Sequence, residues 1–195
     1  MISRRLQLTV LILLVAVFGM GVYVLQTKRR TEQLGTSASD SRPMAPPVAG
    51  PQETFVLWVA SDSDFALHRV NGYAALPHEP AERDREILRH LIAFYLGRTS
   101  KHAFGPGADV RAVYRLDNGL AVIDTNADFA NRHPSSVLSE ALTVASIAQT
   151  LSANSPQVKR VRFLVDGKER ETLAGHADLL GTYELAELAQ AAEKQ

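Results

Sequence analysis

Leu8 to Leu25 reads LTVLILLVAVFGMGVYVL, an uncharged run in which Thr9 is the single polar residue. As a helix rising about 1.5 Å per residue it would reach roughly 27 Å, close to the hydrocarbon thickness of a bilayer. Arg4 and Arg5 precede it, and Lys28, Arg29 and Arg30 follow. Because the run is apolar on every face, it reads as a membrane helix rather than a surface helix with one buried stripe. A cleaved signal peptide is the rival reading. Such a peptide has a shorter apolar region ending in small residues of the A-x-A type, whereas this run ends Val24-Leu25-Gln26 before a basic cluster. Residues 1–30 are therefore expected to be an uncleaved, single-pass anchor with basic flanks. The basic residues on its two sides are nearly balanced, so charge alone orients it poorly.

Residues 31–54, TEQLGTSASDSRPMAPPVAGPQET, hold no helical or strand period. Pro43, Pro46, Pro47 and Pro51 favour extended, polyproline-like backbone, and the stretch reads as a linker. The anchor also matters for charge. The chain has 21 Lys+Arg and 21 Asp+Glu, but five of the basic residues lie in the first thirty positions, which contain no acid. The rest carries 16 basic against 21 acidic residues. A mildly acidic body lacks the basic stripe that nucleic-acid binding requires, so no nucleic-acid partner is expected. Cysteine is absent, which excludes disulfides, thiolate metal sites, thiol catalysis and lipidation of an N-terminal Cys.

From Phe55 onward strands and helices alternate. Phe55 to Ala60 is a short apolar run read as a strand buried on both faces. Ser61 to Ala75 is read as a variable loop or a weak strand. Residues 80–97 form an amphipathic helix, with Pro80 at its entry, Glu79, Glu82 and Asp84 in its first turn, and Ile87, Leu88, Leu91, Ile92 and Tyr95 on one face. Val110 to Leu116 and Leu120 to Asp124 alternate around Asp117-Asn118-Gly119, a hairpin signal. A second helix is expected after His133-Pro134, capped by Ser135 or Ser136. Its apolar stripe would be Val137, Ala141, Val144, Ala148 and Leu151, widened by Leu138, Leu142 and Ala145. Val161, Phe163 and Val165 mark another strand, Asp166-Gly167 a turn, and 168–173 a short charged edge strand. The order β-α-β-β-α-β predicts an α+β two-layer sandwich with both helices on one face of a mixed sheet. A ferredoxin-like split arrangement has the same order. Residues 181–195 read as a C-terminal helical tail.

No catalytic constellation assembles from these residues. The histidines at 68, 78, 90, 102, 133 and 176 include no i, i+4 pair, and there is no nucleophile elbow or phosphate loop. Catalytic, cofactor-binding and metal-ligating residues are thus expected to be none. Asp124, Asn126 and Asp128 resemble the opening of a calcium loop, but Phe129 and Ser135 stand where glycine and glutamate are needed; they read as a polar strand end entering a turn. Glu140, the one acid of the second helix, reads as an acid favoured by the helix dipole, with a buried functional role as the alternative. Asp124 paired with Glu140 would be the best case for a hydrolase. Trp58, Tyr114 and Phe163 could form a ligand platform, but aromatics in strands are more often core.

Three stretches taken together carry a family resemblance. They are GPGADVRAVYRLDNGLAVIDTNADFA (105–130), the helix with Glu140 ending in Thr150-Leu151, and the strand and turn formed by Val158, Val161 and Phe163 to Gly167. In this order and spacing, residues 55–180 resemble the GerMN domain family of sporulation and spore-germination proteins. The resemblance implies a small α+β domain outside the cytoplasm, held by a lipid or a membrane helix and without enzymatic activity. It also implies a fold similar to the ring-building motifs of envelope secretion assemblies. The function expected is a non-catalytic module of the bacterial cell envelope, anchored in the cytoplasmic membrane with its N-terminus inside. Its partner would be an envelope protein or a second copy of itself, with a sporulation or germination role if the host sporulates. The alternative is a peptidoglycan- or carbohydrate-binding module using Trp58 and Tyr114.

Overall fold

A computed structural model describes residues 50–188. The expected anchor (1–30), most of the linker, and the tail beyond residue 188 lie outside the described residues. Among the described residues no helix is long and apolar enough to cross a membrane.

The elements are β1 (Gln52–Ser61), β2 (Ala66–Ala75), α1 (Pro80–Tyr95), β3 (Val110–Arg115), β4 (Leu120–Thr125), α2 (Ala127–Asn131), α3 (Val137–Asn154), β5 (Arg160–Val165) and β6 (Tyr183–Glu184). The architecture is α+β with two sheets rather than one. β1 and β2 form an antiparallel hairpin of their own, while β3-β4-β5-β6 is a mixed sheet. β4 and β5 run parallel, and their β3 and β6 neighbours run antiparallel to them. Two further expectations change with this. Residues 66–75, read as a loop or weak strand, form a full ten-residue strand. Residues 168–173 form no strand; they return through single bridges at Val165–Lys168 and Thr172–Asp178. The boundaries shift too. β1 begins at Gln52, inside the stretch read as linker, and β6 falls inside the stretch read as tail. Residues 185–188 are helical.

Local chemistry explains the elements that the sequence placed well. α1 starts at Pro80 because Glu79 caps it, its carboxylate accepting from the Ala81 and Glu82 amides at 3.1 and 2.7 Å. Ile87, Leu88, Leu91, Ile92 and Tyr95 are its buried face, and truncating one such leucine to alanine typically removes about 2–5 kcal/mol. α3 is capped by Ser136, whose hydroxyl accepts from the Ser139 amide. Asp166 and Gly167 both have positive φ, at 51° and 71°. With Val165 and Lys168 exchanging backbone bonds across them, they make the tight turn that Asp-Gly favours. Gly72 faces Phe55 across the hairpin, and a Cβ there would lie 2.3 Å from the ring.

A single core joins the two sheets. Phe55, Leu57 and Val59 of β1, the buried face of α1, Ile147 and Leu151 of α3, and Val113, Ile123, Val161 and Phe163 of the mixed sheet belong to one buried cluster. α1 lies against β3, α3 approaches β1 most closely, and the two helices touch.

That approach supplies hydrogen bonds to an edge. β1 is not buried on both faces, since Val56 and Trp58 are only half-buried. Its second edge is closed by side chains instead of by a strand. Asn154 accepts from the Val56 amide at 3.0 Å and donates to the Val56 carbonyl at 2.6 Å. Thr150 accepts from the Trp58 amide at 3.0 Å, and Ser146 donates to the Trp58 carbonyl at 2.5 Å. Tyr95 of α1 accepts from the Ala60 amide at 2.9 Å and also bonds Ser146. The match is geometric: two strand residues advance about 6.6 Å and four helix residues about 6 Å. Polar groups four apart on α3 can therefore serve every second residue of β1.

Candidate functional site

The N-terminal half of α3 gathers the buried side chains of His102, His133 and Glu140. Thr143, fully buried, stands between two histidines. His102 comes from the loop after α1 and His133 from the turn before α3. Thr143 Oγ1 lies 2.7 Å from His102 Nε2 and 2.6 Å from His133 Nε2. The outer nitrogens are also engaged. His102 Nδ1 lies 2.8 Å from Asp62 Oδ1, at the turn after β1, and His133 Nδ1 lies 2.8 Å from the Pro134 carbonyl. Tyr95, Phe104 and Phe129 pack around the rings, with the Tyr95–His102 and Phe104–His133 centroids 4.9 and 5.0 Å apart. Burial lowers the His133 pKa, with the neighbouring His102 acting in the same direction; the Pro134 carbonyl, Glu140 and Asp62 oppose it. Burial also pushes the Tyr95 phenol up to about 12.

Asp62, His102 and Thr143 thus reproduce the carboxylate–imidazole–hydroxyl order of a hydrolytic triad. The resemblance ends at access. His102 is 1% exposed and Thr143 0%, and the Thr143 hydroxyl is enclosed by His133 and by the Ser139 carbonyl at 3.0 Å. A nucleophile in this place has no room for an acyl group beside it. The sequence reading missed this chain because its members are 40 and 41 residues apart and none occurs in a motif. The one signal was four small polar residues, Ser139, Thr143, Ser146 and Thr150, recurring at helical spacing in this helix.

One turn before Thr143, Glu140 is fully buried and binds a different segment. Its Oε2 accepts from the amides of Ala174, His176 and Ala177 at 3.0, 2.9 and 2.9 Å, and its Oε1 lies 2.8 Å from His176 Nδ1. Burial by itself raises the carboxyl pKa, but the His176 bond and the three amides together outweigh it and hold the value down at about 2. Glu140 does begin the helix, as its sequence position suggested, but it is more than an acid at a dipole: it organises the strap 174–177. Asp84, read from the sequence as an acid of the first turn of α1, is fully buried, bonded to the Ser155 hydroxyl, with Arg115 Nε 3.3 Å from its Oδ2. Burial raises its pKa, against Ser155, Arg115 and Arg83.

The remaining sequence candidates are dispersed. Asp124 accepts from the Gly167 amide at 2.7 Å, which fixes the β5 turn. Asn126 caps α2, accepting from the Phe129 and Asp109 amides at 3.0 Å, and Asp128 pairs with Arg132 at 2.9 Å. The string is thus a cap leaving a strand, and among the described residues no group of three or more His, Asp or Glu is placed to hold a metal. Asp124 and Glu140 answer to separate sets of backbone amides and form no pair. The three aromatics form no platform. Trp58 belongs to the hairpin sheet. In the mixed sheet Tyr114 pairs in the row with Val122 and Arg162, whereas Phe163 is buried in the adjacent row with Ile123. Adjacent rows point to opposite faces.

Two surface hollows of about 320 and 330 Å³ flank this core. Arg115, Leu116, Asp117, Leu120 and Gln157 help to line the first, and Val59, His68, Val70, Phe94 and Lys101 the second. Neither includes a member of the buried chain. The outward face of α3 differs from both. Val137, 61% exposed, Leu138, 49% exposed, and Ala141 continue into Ala145, Gln149 and Ala153 without a charge.

No curated protein matches the chain. Among solved structures, the tandem GerMN domains of the sporulation protein GerM from Bacillus subtilis match with 16% identity and a TM-score of 0.49, over 67% of this chain and 45% of that one. The chain therefore spans less than half of that tandem protein. The first GerMN domain of the same protein matches with 16% identity and a TM-score of 0.48, over 66% of this chain and 94% of that one. A putative lipoprotein from Clostridium perfringens matches at 17% identity and a TM-score of 0.39, over 72% and 92% of the two chains. The family model described as Germane, sporulation and spore germination, matches residues 58–171. That stretch runs from the middle of β1 past the β5 turn, more than half of the 195 residues, and the chain belongs to the Germane family.

Proposed function

We propose that this chain is a non-catalytic Germane module of the bacterial cell envelope that works by binding another protein, tethered by residues 1–30 in the cytoplasmic membrane with the N-terminus inside. The observation that carries this reading is the charge-free outward face of α3. A helix side that shows Val137, Leu138 and Ala141 to solvent, on a chain that is 22% charged overall, suits contact with a partner better than contact with water. The sealing of His102 and Thr143 from solvent supports a role without catalysis. The test is in-cell photocrosslinking of the full chain with the reactive group at Leu138, and at Lys168 for comparison. A protein adduct formed from Leu138 and not from Lys168 is expected. Equal yields from the two positions, or none from Leu138, would remove the reading.

Tyr114 motivates a second reading, in which the open face of the mixed sheet binds peptidoglycan. Tyr114 is 53% exposed in a row that continues through Val122 to Arg162, and an aromatic ring and a guanidinium on one face can stack on a sugar and hydrogen-bond it. Retention of the full chain on purified cell wall, lost on Tyr114→Ala, would favour this reading over the first.

A further inference from the structure

β2 is the open edge of the hairpin sheet. The amides of Val56, Trp58 and Ala60 turn away from β2, toward Asn154, Thr150 and Tyr95. In an antiparallel pair, residues that hold the ladder alternate with residues that face outward. Phe55, Leu57 and Val59 therefore hold the ladder to their partners Gly72, Val70 and His68. Leu67, Arg69, Asn71 and Tyr73 then turn their N–H and C=O groups to the far side of β2. Among the described residues no strand and no backbone group pairs with that side. The strand runs for ten residues without a proline or a register shift to interrupt pairing. Tyr73 on it, 70% exposed, is the most exposed large apolar side chain among the described residues. We propose that this edge pairs with the β2 of a second copy of the chain, antiparallel about a twofold axis at Val70, so that the two hairpins make one four-stranded sheet.

The side chains of β2 select both the occupant and the register. Outward-facing backbone groups can meet only outward-facing ones, so a symmetric pairing is centred on a residue. Centred on Arg69, it sets Arg69 against the partner's Arg69. Centred on Asn71, it sets Arg69 against the partner's Tyr73 and Leu67 against the partner's Ala75. Centred on Val70, it sets Leu67 against the partner's Tyr73, Arg69 against the partner's Asn71 and His68 against the partner's Gly72. Apolar then meets apolar, a guanidinium meets an amide that can accept from it, and no like charges stand opposite each other. Each of the four outward-facing residues exchanges two backbone hydrogen bonds with its opposite number. Residues directly opposite share a face of the sheet, so the partner's Val70 comes beside the hollow that Val59, Val70 and Phe94 help to line. α3 closes the opposite edge of the hairpin, so pairing through β2 leaves Val137 and Leu138 for a different protein. This contact is a second surface and does not rest on the α3 reading.

The chain contains no cysteine, so one introduced cysteine can link only to its own copy or to another protein. The Val70 amide faces β1, which makes Val70 and the partner's Val70 a non-hydrogen-bonded pair with Cα atoms about 4.5 Å apart. A disulfide spans roughly 4.4–6.8 Å between Cα atoms. Tyr73 and the partner's Tyr73 would be out of register by about 20 Å. Full-length Val70→Cys and Tyr73→Cys proteins are oxidised with copper–phenanthroline in permeabilised cells, and the adducts are identified by mass spectrometry. Val70→Cys is expected to give at least tenfold more homodimer than Tyr73→Cys, although Tyr73 is the more exposed; random collision gives the reverse order. Adding Asn71→Pro to Val70→Cys removes an outward amide and no hairpin bond. Adding Asn71→Arg instead keeps the amide and sets arginine against arginine twice, so it decides the matter if the proline variant does not fold. Each should cut the homodimer at least tenfold, with the melting temperature of the arginine variant unchanged. The proposal is overturned by a Val70→Cys homodimer yield no higher than that of Tyr73→Cys, by a Val70→Cys adduct with a different protein in place of itself, or by a homodimer that survives Asn71→Arg. The adduct from Leu138 is read separately, so the failure of one contact is distinguishable from the failure of the other.

Discussion

Glu140 concentrates more of the fold in one side chain than any other acid described here, because one carboxylate satisfies three amides and an imidazole of a segment about 35 residues away. Its pKa falls from an ordinary 4.5 to about 2 on folding. The folded state therefore prefers the ionised form, and the stability this brings is complete above about pH 4.5 and is lost as the pH falls toward 2. A difference of that size corresponds to roughly 3 kcal/mol. Glu140→Gln keeps the shape but removes the charge and turns an amide toward donors. It is expected to lower stability by about 3 kcal/mol at neutral pH and to flatten the acid limb between pH 4.5 and 2, as read by thermal unfolding across pH. An unchanged acid limb would show that the strap is held by something else. His133 adds a separate acid-sensitive contribution. Its pKa is lowered by burial, so its contribution is complete above the ordinary histidine value and falls as the pH drops through the folded value. His133→Asn should remove that part of the acid loss while leaving the Glu140 part in place.

At the scale of elements, α3 does for β1 what a neighbouring strand would do. Exposed strand edges invite pairing with other chains, and Ser146, Thr150 and Asn154 close this one. Asn154→Ala strips partners from both the amide and the carbonyl of Val56, and is expected to reduce stability by about 2–3 kcal/mol in denaturant unfolding. Ala141→Ser, on the outward face of the same helix, should stay within about 0.5 kcal/mol. A cost for Asn154→Ala no larger than that would mean water replaces the asparagine without penalty. The helix limits, the Asn-Gly and Asp-Gly turns and the alternation in β5 could all be read from the sequence, because each is a local signal. The burial of α3 could be read only in part: Leu142, Val144, Ala148 and Leu151 are buried as the apolar stripe implied. Apolar periodicity placed Val137, Leu138 and Ala141 inward, and the structure turns them outward while Ser139, Thr143 and Ser146 go in. A rule that assigns polar residues to solvent has no term for a strand edge needing donors and acceptors. For the same reason β2 was underrated. Its polar alternation, His68-Arg69 and Asn71 among small residues, belongs to a hairpin strand with one solvated face, and Phe55 packs against its Gly72.

In the body as a whole, the sealed polar interior and the uncharged helix face point the same way. The groups that could do chemistry are spent on holding loops to α3, and the surface left over is suited to contact. Sequence order could suggest the mixed sheet but not the separate hairpin, since nothing local states that β1 pairs with β2 and leaves its other edge to a helix. If contact through α3 is the function, a charge at the middle of that face should disable it without disturbing the fold. Ala141 is exposed and its helix neighbours outward are uncharged, so Ala141→Glu should change stability by no more than about 0.5 kcal/mol. In an apolar interface the same carboxylate would be desolvated without a partner, a penalty of several kcal/mol and so well over tenfold in affinity. The yield of the adduct formed from Leu138 should therefore fall at least tenfold in Ala141→Glu, with melting temperature unchanged, while Lys168→Glu leaves both as they were. Full adduct yield in Ala141→Glu would place the contact elsewhere, and the open face around Tyr114 would be the next surface to probe.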